Sequence, residues 1–377
     1  MTQRGFVQRT IPQESYEEHR RLSLDPNTRE AFWSEQMGDL KWFKKWDKVL
    51  DSSKAPLYRW FTGGLTNMSY NCIDRHVDLG HGKDKAVIYE SAFTKRTRII
   101  TYEELQDQVA RLSKIIANQG LKKGDRVIIY MPMIPEALIA MHACARLGII
   151  HSVVFGGFAP EELANRVSHA KPSLIITASG GLEPSRTIPY VPNVDRALQI
   201  AGQPEMKRII VQRRSYREKN VDTRYYLDYD EEMAKIPKGH GHEVVPVPGD
   251  HPWFILYTSG TTGQPKGIYR SHGGQLAAYN YGLKNYFDIH RNDTMLATSD
   301  IGWIVGHNFI IYGPLLRGGT TVMYEGKPTG TPNPGICWRM IEDYKVKSFY
   351  IAPTGVRAIK KDDIDGHFIK QHDLSSL

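Results

Sequence analysis

Between Arg126 and Thr177 short apolar runs alternate with helical stretches, and this alternation restricts the fold more than any other feature of the chain. Arg126-Val127-Ile128-Ile129-Tyr130 reads as a strand, Pro135 to Leu147 as a helix stopped by Gly148, and Ile149 to Phe155 as a second strand. Pro160 to His169 follows as a helix that opens on Pro, Glu and Glu, as the macrodipole favours, and Leu174-Ile175-Ile176-Thr177 as another strand. A strand, helix and strand in this order close as a right-handed parallel crossover, so the expected class is α/β, with parallel sheets flanked by helices. Upstream, Lys85 to Tyr89 is a strand, and Thr101-x-x-Glu104 forms a capping box ahead of Leu105, Val109, Leu112 and Ile116 on one helical face.

Residues 257 to 267, Tyr-Thr-Ser-Gly-Thr-Thr-Gly-Gln-Pro-Lys-Gly, are too polar for a core and too patterned for a linker. Trp253-Phe254-Ile255-Leu256 reads as a buried strand, so the loop leaves a sheet with its amides free. Gly260, Gly263 and Gly267 permit close backbone approach; Thr258, Ser259, Thr261 and Thr262 can donate to phosphate oxygens; Lys266 adds a point charge. Each charge-assisted hydrogen bond is worth roughly 1.5–3 kcal/mol, so a few of them hold a triphosphate. The Walker template does not fit, because Pro265 rather than Gly precedes Lys266. Thr258 to Gly267 instead resembles the signature loop Thr-Ser-Gly-Thr-Thr-Gly-x-Pro-Lys-Gly of the AMP-forming acyl and aryl adenylate ligases, the superfamily of acyl-CoA synthetases, firefly luciferase and peptide-synthetase adenylation domains.

From Tyr16 to Leu50 the aromatic residues Phe32, Trp33, Trp42, Phe43 and Trp46, with Leu40 and Val49, suggest an imperfect helical stripe that caps a larger domain. With Arg59-Trp60-Phe61 and Asn71 to His76, this segment resembles the N-terminal extension of acetyl-CoA and propionyl-CoA synthetases, which luciferase-type members lack. The expected division is a flexible N-terminus at 1–12, an extension of the acetyl-CoA-synthetase type at 13–75 and an AMP-binding, adenylate-forming domain at 76–377. Lys235 to Pro248 reads as a surface loop.

Glycines beside a tryptophan in Ser299-Asp300-Ile301-Gly302-Trp303-Ile304-Val305-Gly306-His307 suggest a wall that a ligand approaches closely. The resemblance to short-chain acyl-CoA synthetases implies an acyl pocket at Trp303, Ile304 and His307, with Val305 turned towards CoA. Ile351-Ala352-Pro353-Thr354 resembles a Thr-Ala-Pro-Thr segment, with Ile351 departing from threonine, and implies Ala352 in the acyl pocket. A loop arginine after the Thr177 strand suits phosphates; the resemblance puts Glu183, Pro184, Ser185 and Arg186 on the CoA side, together with Thr329. A histidine such as His307 is also a common core residue, and Arg186 a common surface one. Glu183, Arg270 and Val305 depart from the basic residue, His and Thr usual in acetate-activating members, and point towards the propionate-type branch.

The resemblance implies a two-step ligase reaction: a short carboxylic acid and ATP give an acyl-adenylate and pyrophosphate, and CoA then displaces AMP. Lys266 would be the catalytic residue within the chain, and Mg²⁺ would offset triphosphate charge; no metal ligand is assigned. The net charge of +8 suits ATP and CoA, while the basic cluster Lys207-Arg208, Arg213-Arg214 and Arg217 reads as a solvated face, so a nucleic-acid partner is not expected. Cys72, Cys144 and Cys337 are too scattered for a disulfide framework or a zinc site. No apolar run reaches the length of a membrane span. The first thirteen residues contain two arginines and no acid, which leaves cytoplasm and mitochondrial matrix both open; a homo-oligomer is likewise left open. By the resemblance, Leu377 falls within the large domain. The aromatic-Thr-Glu segment, the ribose-binding Asp, the hinge and the late lysine have no counterpart, and the expectation is a partial enzyme. The rival expectation is a non-catalytic isoform or fragment that binds nucleotide or serves as an interaction partner. A luciferase-like oxygenase is disfavoured by the aromatic extension.

Overall fold

The structure is a computed structural model that describes residues 13–213, 216–258, 265–327 and 329–377. Its two large sheets use, in chain order, β1 (Lys85–Ser91), β2 (Arg96–Thr101), β3 (Arg126–Tyr130), β4 (Ile150–Val153), β5 (Leu174–Ala178), β6 (Arg208–Val211), β7 (Tyr226–Asp228), β8 (Pro252–Thr258), β9 (Lys266–Ser271), β10 (Thr294–Ala297), β11 (Thr320–Glu325) and β12 (Val346–Tyr350). The first sheet has the order β7-β6-β5-β3-β4-β8-β9 and is parallel except for the β8–β9 hairpin. The second has the order β12-β10-β11-β1-β2 and is parallel except for β1–β2. β5, β6 and β11 are buried along their whole length, as strands covered on both faces must be.

The helices start and stop where their caps dictate. α1 (Tyr102–Asn118) has the capping box: Glu104 N–H donates to Thr101 Oγ1 at 3.3 Å, and Thr101 N–H donates to the Glu104 carboxylate at 3.0 Å. α2 (Pro135–Leu147) packs on α1 and ends at Gly148, whose φ of 67° needs no Cβ penalty. α3 (Pro160–Ala170) packs on α4 (Tyr190–Ile200), and α5 (His272–Asn285) follows β9. Two further helices, α6 (Ile336–Tyr344) and α7 (Pro353–Asp362), flank β12 in sequence. Among the described residues, no helix is long and apolar enough to cross a membrane.

The N-terminal aromatic stripe is only partly helical. Helices span Gln13–Leu24 and Arg29–Gln36; beyond Gly38 the chain is irregular until Lys48–Asp51 pairs with Arg59–Thr62. Trp42 and Trp46 pack on each other at 4.8 Å and on Phe61 at 5.4 and 5.0 Å, a cluster that no single helix could build. The Glu30 carboxylate accepts from Val49 N–H at 2.8 Å and ties the ribbon to the helix. Met37, Leu40, Val49 and Phe61 belong to the same buried core as α1, α2 and the first sheet.

The two sheets present their carboxyl ends to a common crevice. Gly302, after β10, approaches Phe155, after β4, so closely that an added Cβ would lie 3.1 Å from the Phe155 nitrogen. Ile301 N–H donates to Met133 Sδ at 3.4 Å, and Arg213, after β6, meets Glu325, at the end of β11, at 2.6 Å. Ligands of open α/β sheets bind outside such carboxyl ends.

Candidate functional site

The signature loop is the connection of a hairpin. β8 and β9 pair antiparallel with Thr258 opposite Lys266, so both ends of the loop are held side by side, and β9 is the edge of the sheet. Thr258 and Lys266 are exposed; Ser259, Gly260, Thr261, Thr262 and Gly263 lie outside the described residues. The stem is braced from α3: His169 Nδ1 and Tyr257 Oη are 2.8 Å apart, and the Arg166 guanidinium lies over the Tyr257 ring at 5.6 Å and over Phe158 at 4.6 Å.

Beside the crevice, a cavity of about 250 Å³ is lined by Met133, Thr298, Ser299, Asp300, Tyr324, Lys327 and Met340, among others. Burial pushes the Asp300 carboxyl up to about 6, against the opposing donation from Gly302 N–H at 2.7 Å. Asp300 was not singled out from the sequence, where only its glycine-rich neighbourhood stood out; a carboxylate that lines a cavity next to apolar walls declares itself only in three dimensions.

The Trp303 turn divides its residues between two environments. Trp303 and Ile304 are 50% and 37% exposed, available to a ligand, and Val305 is half-buried. His307 is fully buried behind them. Its Nδ1 donates to the Trp303 carbonyl at 3.1 Å, its ring stacks parallel on His151 at 5.9 Å and packs on Phe254 at 4.6 Å, and burial pushes its pKa down to about 4. The imidazole is therefore neutral at pH 7 and supports the turn from beneath; it is not among the residues that line the cavity.

Glu183 to Arg186 form the tip of a small hairpin made by Gly180–Leu182 and Thr187–Pro189. Glu183 N–H donates to the Arg186 carbonyl at 2.9 Å, and Arg186 Nε donates to the Glu183 carboxylate at 3.0 Å. An exposed pair of this kind is worth about 0–1 kcal/mol, less than a guanidinium–phosphate contact at about 1.5–3 kcal/mol, so Arg186 can exchange partners. Ala352 is exposed at the start of α7, and Thr329 is close by, its methyl 3.9 Å from where a Cβ on Gly355 would stand. The basic cluster is not one solvated face. Arg208 is buried between Tyr225 and Tyr226, at 5.5 and 5.0 Å, and Arg213 is buried against Glu325. Arg208 opens β6, a strand paired on both sides by β7 and β5, and Arg213 follows just after it, a burial that periodicity around two short charged patches did not disclose.

With this geometry in place, residues 75–377 match the model of the AMP-binding enzyme family, and residues 16–72 match that of the acetyl-coenzyme A synthetase N-terminus. The chain belongs to the AMP-binding enzyme family. Within that family it is 45% identical over 347 residues to acyl-CoA synthetase short-chain family member 3, mitochondrial, of Bos taurus, an alignment that covers 92% of this chain and 50% of that protein. The Homo sapiens protein of the same name is 44% identical over 346 residues, with 92% and 50% covered. Acetyl-coenzyme A synthetase of Leptospira biflexa is 42% identical over 357 residues, with 92% and 53% covered. The chain spans about half the length of the curated relatives it matches.

Proposed function

We propose that this chain carries the triphosphate-, acyl- and CoA-facing portion of a short-chain acyl-CoA synthetase that makes propionyl-CoA in preference to acetyl-CoA. Residues 13–75 act as the extension and 76–377 as the AMP-binding domain, in the mitochondrial matrix or cytoplasm. The observation that carries this reading is the pairing of Thr258 with Lys266, which holds both ends of the signature loop side by side at the carboxyl end of β8.

A short carboxylate lies against Trp303 and Ile304, with Ala352 on the acyl side and His307 supporting the turn from beneath, and attacks the α-phosphate of ATP. Thr258, Ser259, Gly260, Thr261, Thr262, Gly263 and Lys266 hold the β- and γ-phosphates, and Lys266 stabilises the charge that moves onto the leaving pyrophosphate. The CoA thiol then displaces AMP, guided by Glu183, Pro184, Ser185, Arg186, Val305 and Thr329. When bound, Mg²⁺ would screen the triphosphate charge, and no protein ligand is assigned to it. Val305, where acetate-activating members carry Thr, leaves an apolar contact that suits one more methylene.

Calorimetric titration of the chain with Mg·ATP tests the phosphate site. Lys266→Ala removes one charge-assisted contact and raises Kd roughly 10- to 100-fold. Equal affinity of the two proteins would refute the role of Lys266. Propionate-dependent exchange of pyrophosphate into ATP, measured on this portion completed to the full length of its relatives, tests the chemistry, and exchange with no short acid at all by that completed protein would count against the synthetase reading.

A further inference from the structure

A buried ion pair joins the two sheets at their carboxyl edge, and the chemistry above makes no use of it. Arg213 Nη1 lies 2.6 Å from Glu325 Oε1, with the two side chains 7% and 4% exposed. The other carboxylate oxygen of Glu325 accepts from the Tyr89 hydroxyl at 2.6 Å, which anchors it to β1. On the arginine side, Arg213 N–H donates to Ser179 Oγ at 2.9 Å, and that hydroxyl donates to the Tyr216 carbonyl at 2.6 Å. Ser179 N–H in turn donates to the Val211 carbonyl at 2.9 Å, and Ser179 leads directly into the hairpin whose tip is Glu183 to Arg186. On the glutamate side, Glu325 runs straight into Gly326, Lys327 and the turn that holds Thr329.

A buried ion pair is a poor source of stability, because desolvation of both charges cancels most of their attraction and an apolar pair of similar volume often does as well. What the pair supplies instead is a fixed distance: the Nη1–Oε1 contact, a close ion pair rather than an aligned hydrogen bond, holds the two buried charges together, whereas two apolar side chains tolerate sliding. We propose that Arg213 and Glu325 form a positioning clamp that sets the spacing between the 183–186 hairpin tip and the residues Gly326, Lys327 and Thr329, and so shapes the crevice for the phosphate-bearing end of CoA. The link to CoA rests on the synthetase reading above; the clamp itself does not.

The test uses the whole 377-residue chain, Glu325→Gln and the double variant Arg213→Met/Glu325→Leu, which buries no unpaired charge. Hydrogen exchange is followed at residues 179–190 and 324–330, with α2 as the internal reference, and CoA and Mg·ATP are titrated separately. In the double variant α2 keeps its protection, both segments exchange about tenfold faster, the Kd for CoA rises about tenfold and that for Mg·ATP is unchanged. Unchanged exchange in both segments of a folded double variant overturns the clamp, as does failure of the double variant to fold, which would make the pair a folding determinant. Faster exchange with no change in CoA affinity overturns its role in shaping the CoA site. If the wild-type chain binds neither ligand, the synthetase reading fails, and the exchange data still decide the clamp.

Discussion

Lowering the pH from 7 to 5 will destabilise this fold because of buried histidines. Burial pushes the pKa of His142 and of His307 from 6.5 down to about 4. His142 Nε2 donates to the Ile311 carbonyl at 3.1 Å, and neither His142 Nδ1 nor His307 Nε2 has a hydrogen-bond partner among the described residues, so a second ring proton would go unsatisfied. Above pH 6.5 both rings are neutral in the folded and unfolded chain and the full stability is present. As pH falls from 6.5 towards 4 the unfolded chain takes up protons that the folded one refuses, and stability is lost. Linkage puts the loss at about 2 kcal/mol per histidine at pH 5, roughly 4 kcal/mol for the two. Asp300 works in the opposite direction: its raised pKa of about 6 costs stability at pH 7, and about 1 kcal/mol of that returns by pH 5 as the folded carboxyl takes up its proton. The net loss from these three groups is about 2–3 kcal/mol. Urea unfolding followed by tryptophan fluorescence at pH 7, 6 and 5 measures it, and His307→Gln should reduce the pH slope by about one proton's worth. Stability that is flat or rising from pH 7 to 5, or a slope that His307→Gln leaves intact, would refute the argument.

Asp74→Asn leaves Arg146, which reaches the Asp74 carboxylate at 2.7 and 2.8 Å in a nearly solvent-free site, as an unpaired buried charge. The expected loss is about 3–5 kcal/mol, read from the urea midpoint. Gly148→Ala puts a Cβ at positive φ and 2.6 Å from Val247 Cγ1, so thermal unfolding should show a loss of more than about 1 kcal/mol. Arg186→Ala should weaken CoA binding roughly tenfold by calorimetry and leave Mg·ATP affinity unchanged; equal losses for both ligands would remove Arg186 from the CoA side.

Local chemistry was legible wherever neighbours along the chain decide the outcome. The capping box at Thr101 and Glu104, the stop at Gly148 and the Pro-Glu-Glu start of α3 all formed where the sequence put them, because each is settled within one helical turn. The strand before the signature loop is also present, two residues longer at its carboxyl end than its apolar run. The aromatic stripe after Gln36 misled, because spacing alone does not separate a helix from an irregular stretch whose rings are gathered by packing.

What the sequence by itself determined is therefore the capped and periodic elements from Lys85 to Thr177 and the strand before the loop, the α/β class and the chemical character of the loop from Thr258 to Lys266. Tertiary structure alone decided the strand order of the two sheets, the burial of His307 behind the Trp303 turn and the meeting of Arg213 with Glu325, residues 112 positions apart (325 minus 213). Hydrogen-bond periodicity and caps act over a few residues and are written locally, whereas desolvation and pairing of a distant charge depend on which surfaces close over it, and those are fixed only when the whole chain packs.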